Sequence, residues 1–141
     1  MSRNISFRLQ DVKFTLKDKQ VLRNWVALVA SNDGYSIAPI NYVFCSDTHL
    51  LEMNKQFLNH NYFTDIITFD YTEGKRISGD IFISIDRVAD NAKTYKSTFE
   101  QELHRVMIHG VLHLMGYKDK SPADEKKMRA KENAALKLLP L

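Results

Sequence analysis

His109 and His113 stand four residues apart in a stretch whose apolar residues recur at helical spacing. Both imidazoles therefore emerge on one face of a helix, one turn apart, where two ring nitrogens can share a metal ion. A catalytic zinc commonly takes a third protein ligand and leaves its fourth position open. Gly116 is suited to end the helix and turn the chain back, bringing Asp119 within reach as that ligand. Two nitrogens and a carboxylate suit metal-assisted hydrolysis, in which the ion lowers the pKa of water and polarises the substrate. A peptidase of the HExxH type is disfavoured, because the position of its general base is Gly110 here. Spacing alone leaves an ordinary hydrogen-bonding role for either histidine open.

Other polar residues invite plainer readings. His49 opens a helix, His60 lies in a polar turn, and His104 is five residues from His109, a poor separation for sharing a ligand. Asp124 is a rival third ligand, but its place three residues after Ser121 suits a helix cap. Lys126, Lys127, Arg129 and Lys131 alternate with Glu125 and Glu132, the pattern of a solvated helix face. No general base is evident.

The elements that must carry these residues follow from periodicity. Ile5, Phe7 and Leu9 alternate with polar residues as in a half-buried strand, which Val12, Phe14 and Leu16 can extend. Asp18 stands as N-cap to a helix containing Val21, Leu22, Trp25, Val26 and Val29, broken at Ser31 to Gly34. Ile40 to Cys45 reads as a buried strand, and Ser46 caps the next helix. Two strands follow, through Ile67, Phe69 and Tyr71 and through Ile81, Ile83 and Ile85, joined as a hairpin around Gly74 and Lys75. From Asp86 to Met115 the pattern is helical, with a break expected at Lys96-Ser97-Thr98. Ser121-Pro122-Ala123-Asp124 opens a final helix.

The chain has 141 residues, 44% hydrophobic and 26% charged, the mixture of one ordinary globular domain spanning 1–141. Its formal charge of +3 permits a polyanionic partner without demonstrating one. Cys45 is the single cysteine, so no intrachain disulfide can form, and its apolar surroundings suit a small core residue in a reducing cytoplasm. The segment MSRNISFRLQ has no apolar run fit for a signal sequence, and no stretch approaches the roughly 20 apolar residues of a membrane span. A cytoplasmic protein without membrane contact is expected.

The run His109-Gly-Val-Leu-His113-Leu-Met-Gly-Tyr117 resembles the signature of the YbeY family of metal-dependent endoribonucleases. Met53-Asn54 followed by Thr64-Asp65-Ile66-Ile67-Thr68-Phe69 is similar to that family's second block, and Gly79-Asp80-Ile81 to the strand after it, so the resemblance covers roughly residues 40 to 120 in matching order. It implies an α+β fold: a small mixed sheet of about four strands against four to five helices, with the metal site at the end of a central helix. It also implies one Zn2+, or another divalent transition metal, held and used catalytically by His109, His113 and Asp119. The expected substrate is single-stranded or ribosomal RNA, cut during 16S rRNA 3′ maturation and ribosome quality control, with the small ribosomal subunit and its assembly factors as partners.

Two positions depart from the family pattern. Asp119 stands where a third histidine is usual, and Leu58 where an arginine is usual. A carboxylate remains a competent ligand, though its charge makes the ion a weaker Lewis acid. Leucine cannot stabilise phosphate charge, and Lys55, His60 and Arg76 are the positional candidates to compensate. Leu58 also keeps a rival reading alive, an RNA-binding protein that cuts little and uses its metal as a structural staple. A zinc hydrolase of another small substrate is a third.

Overall fold

A computed structural model describes residues 4–141, so the first three positions of the N-terminal segment lie outside the described residues. The elements run β1 (Ile5–Leu9), α1 (Lys19–Asn32), β2 (Ser36–Cys45), α2 (Asp47–Leu58), β3 (Ile66–Asp70), β4 (Arg76–Ser84), α3 (Ile85–Thr94), α4 (Phe99–Leu114) and α5 (Pro122–Lys137). The sheet order is β1-β2-β4-β3, with β1 and β4 parallel to β2 and β3 antiparallel to β4. This is the expected α+β fold, with a mixed sheet of four strands and five helices. Among the described residues no helix is long and apolar enough to cross a membrane.

Local chemistry explains most boundaries. The side chains of Ser46, Thr98 and Ser121 each accept a hydrogen bond from the backbone N–H three residues on, and Gln101 returns the favour at Thr98 as a capping box. Lys96 adopts a left-handed φ of 56° between α3 and α4, so the long helical pattern breaks where expected. Asp18 does stand at the N-cap of α1, but in a left-handed conformation with no side-chain cap bond. β2 begins earlier than its apolar run suggests, because a register shift between Ile37 and Ile40 accommodates Pro39 inside the sheet.

The extension of β1 through Val12, Phe14 and Leu16 is not found: the strand ends at Leu9. Its partner β2 ends at Cys45, so no backbone remains to pair with. Phe14 packs instead against Phe44 and Phe99, and Leu16 is buried.

Alternate residues of the central strands face opposite sides of the sheet. Tyr42, Phe44, Ile81 and Ile83 join the main core with Trp25 of α1, Met107 of α4 and Met128 of α5. Cys45 belongs to a smaller cluster under α2 with Leu50, Met53 and Ile67, and burial pushes its thiol up to about 12, as suits a core residue. Polar tips reach through the main core to pin α4 and α5: Tyr42 donates to Met107 O (2.9 Å), Tyr35 to Met115 O (2.8 Å) and Trp25 to Ala135 O (2.8 Å). Gly110 brings α4 close to the sheet, since a Cβ there would lie 3.0–3.1 Å from the side chains of Ile66 and Ile81.

Candidate metal centre

α4 presents His109 and His113 on one face, with ring centroids 4.6 Å apart. Gly116, at φ 98°, ends the helix; its N–H donates to His113 O and the next N–H, of Tyr117, to Leu112 O, so the chain doubles back. Asp119 thereby returns to the histidines. Its Oδ2 lies 3.2 Å from His109 Nε2 and 3.3 Å from His113 Nε2. One ligand atom from each of the three residues lies within 4.8 Å of the others.

These separations match a shared ion. Ligand atoms at ordinary zinc bond lengths around a tetrahedral ion are roughly 3.3 Å apart. The donor chemistry agrees. His109 Nδ1 lies 2.6 Å from Glu132 Oε2, so that nitrogen donates its proton to the carboxylate and Nε2 turns a lone pair toward Asp119. Two lone pairs at 3.2 Å need a positive species between them, either a second proton or a metal cation.

Glu132 is the residue that sequence reasoning misses. It is buried in α5, where a solvated position is expected from the flanking charges, and it also accepts from Arg105 Nη1 at 2.8 Å. Burial opposes charge on both partners, yet the Glu132 hydrogen bond and charge raise the His109 pKa above that of an ordinary histidine. Burial likewise works to raise Glu132, and the hydrogen bonds from His109 and Arg105 outweigh it and hold its carboxyl below the usual range. A carboxylate behind a ligating imidazole fixes its tautomer and orientation. The available signal was spacing: Met128, Glu132 and Ala135 form the buried stripe of α5.

The three residues open onto a cleft of about 780 Å³. Its walls carry the cations Arg105, Lys120 and Arg129, and Leu58 also lines it. Lys55, His60 and Arg76 do not line it: Lys55 pairs with Glu52, His60 packs on Tyr62, and Arg76 closes the hairpin with Glu73. The expected compensation from those three is therefore corrected; the cations that line the cleft stand on α4, α5 and the link between them, which only the packing of α5 on α4 brings together.

Asp65 is the second missed residue. It precedes β3, lines the same cleft and accepts a hydrogen bond from Asn91 Nδ2 at 3.2 Å. Burial raises its pKa, partly countered by the charge of His109. Of the plainer readings, Asp124 serves the α5 cap through its N–H, and His104 packs edge-on against Trp25, where burial lowers its pKa and keeps it neutral.

A family model described as Endoribonuclease YbeY matches residues 4–140. Among curated proteins, the Endoribonuclease YbeY of Cytophaga hutchinsonii is 53% identical over 135 residues, covering 95% of this chain and 94% of the relative. That of Parabacteroides distasonis is 47% identical, covering 96% of each. Among solved structures, the solution structure of TM1509 from Thermotoga maritima is similar with a TM-score of 0.66 at 26% identity, covering 96% of this chain and 88% of that one.

Proposed function

This chain belongs to the YbeY family of endoribonucleases, hydrolases that act on RNA, and from that premise we propose a zinc-dependent, single-strand-specific endoribonuclease of ribosomal RNA maturation. The observation that carries the reading is the convergence of His109 Nε2 and His113 Nε2 on Asp119 Oδ2 in a cleft that Lys120 and Arg129 also line. The reading includes one domain over residues 1–141, work in the cytoplasm on the small ribosomal subunit with its assembly factors, and a part in 16S rRNA 3′ processing and ribosome quality control.

His109, His113 and Asp119 are assigned as the ligands of one zinc ion. When bound, that ion supplies a Lewis acid for the scissile phosphate and makes a nucleophile available at neutral pH. The chain's own residues do the rest. Glu132 keeps the His109 ring turned so that Nε2 faces Asp119, where the two would hold the ion. Arg129 and Lys120 offset the negative charge that builds on the phosphate, work for which Leu58 has no group. Asp65 takes the proton of the attacking oxygen, its carboxylate steadied by Asn91. The rival reading, a structural staple in a protein that cuts little, rests on Leu58; Lys120 and Arg129 in the same cleft are the cations that take the arginine's place in the endoribonuclease reading.

Metal analysis with cleavage assays tests the proposal. About one equivalent of zinc is expected, lost in the His109→Ala, His113→Ala double variant. Cleavage of single-stranded RNA should stop with a chelator and return with zinc, while thermal stability changes only modestly. Cleavage indifferent to both the chelator and His113→Ala would refute the mechanism.

A further inference from the structure

The cleft does not end at the histidines. Tyr95, Glu102, Arg105 and Arg129 border both the cleft and a neighbouring cavity of about 490 Å³, so the two spaces adjoin at these side chains. Leu136, Leu139 and Leu141 line that cavity together with Ser97, Gln101 and His104. Tyr95 stands at the shared border as the C-cap of α3. It is 63% exposed, the highest value among the exposed large hydrophobic residues described, and it stacks on no other ring among the described residues. The Arg129 side chain, which lines both spaces as well, is 56% exposed, and its ion pair with Glu132 is long, at 3.7 Å.

An exposed aromatic ring, leucine side chains and an exposed guanidinium lining one cavity match the chemistry of one nucleotide. Aromatic platforms bind unpaired bases through their faces, whatever the base, and a nearby cation takes the phosphate. A base held in a duplex offers no free face to such a platform. We propose that the cavity beyond Tyr95 is a subsite for one unstacked nucleobase of the RNA strand, lying against the Tyr95 ring with its adjoining phosphate on Arg129. The subsite rests on the endoribonuclease reading and accounts for a preference for single strands: the strand enters the metal cleft only with a base turned out of its stack.

The test crosses a protein change with a substrate change. Wild type, Tyr95→Ala and Tyr95→Phe are assayed on a single-stranded RNA oligonucleotide, and on versions in which one nucleotide at a time around the cut is abasic. Tyr95→Ala should raise KM on the order of ten-fold with kcat within about two-fold, whereas Tyr95→Phe should behave as wild type. In wild type, the abasic scan should show a similar rise in KM at one position, and Tyr95→Ala should show no further loss there. A flat scan in wild type, or losses that multiply in Tyr95→Ala, would overturn the subsite while leaving the endoribonuclease reading intact. Wild type that cuts no single-stranded RNA would overturn both.

Discussion

Glu132 gives the His109 imidazole a fixed tautomer, and its removal should be felt as metal affinity before anything else. Glu132→Gln keeps the shape but loses the charge, and zinc affinity should fall about 10–100-fold in a competition titration. Asp65 carries a different signature. Its folded pKa is raised, so the folded protein prefers it protonated, and whatever stability that proton supplies is lost as pH rises through the raised value. At neutral pH the ionised carboxylate therefore works against folding. Asp65→Asn, whose amide oxygen can still accept from Asn91, should raise the melting temperature of metal-depleted protein at pH 7. The gain should shrink in acid that protonates Asp65 in the parent. The same change should lower kcat on the order of 10²-fold. A variant that melts higher and cuts normally would remove Asp65 from the chemistry.

At the scale of elements, two glycines fix how closely backbone and helix approach β4. A Cβ at Gly79 would run into the carbonyl oxygen of Phe69 on β3, backbone that cannot yield as a side chain does. Gly79→Ala should destabilise the protein by about 1–3 kcal/mol, read as a lower urea midpoint at unchanged m-value. At Gly110 the obstruction is the side-chain tips of Ile66 and Ile81, which can shift by a few tenths of an ångström. This packing also explains why the position that carries glutamate in HExxH peptidases is glycine here. It lies against the sheet, with no room for a carboxylate.

For the whole molecule, the net charge of +3 says little about what RNA meets, because Arg105, Lys120 and Arg129 stand in the cleft among the carboxylates of Asp65, Asp70, Glu102, Asp119 and Glu132, so contact there depends on where each cation sits. Binding of single-stranded RNA to metal-depleted protein should weaken linearly as log salt rises, by about 0.7 in slope for each phosphate neutralised. Lys120→Ala and Arg129→Ala should each reduce the slope by about that amount. Lys55→Ala, at a residue that does not line the cleft, should leave it unchanged, and an equal effect from all three would mean that binding is diffuse.

What residues decide within a turn or two of chain was legible in the sequence. The caps at Ser46, Thr98 and Ser121, the hairpin around Gly74 and the return of Asp119 to the histidine pair after Gly116 all depend on neighbours a few positions away, so spacing carries their placement, while the motif around the histidines carried their role. Glu132 behind His109, Asp65 across the cleft, and Tyr95 and Arg129 at the shared border are separated along the chain by tens of residues. Their meeting follows from how α5 packs on α4 and how α3 turns into α4. Packing of that kind is a property of the assembled core, where charged residues in a polar-looking run can be drawn inside once a partner waits for them.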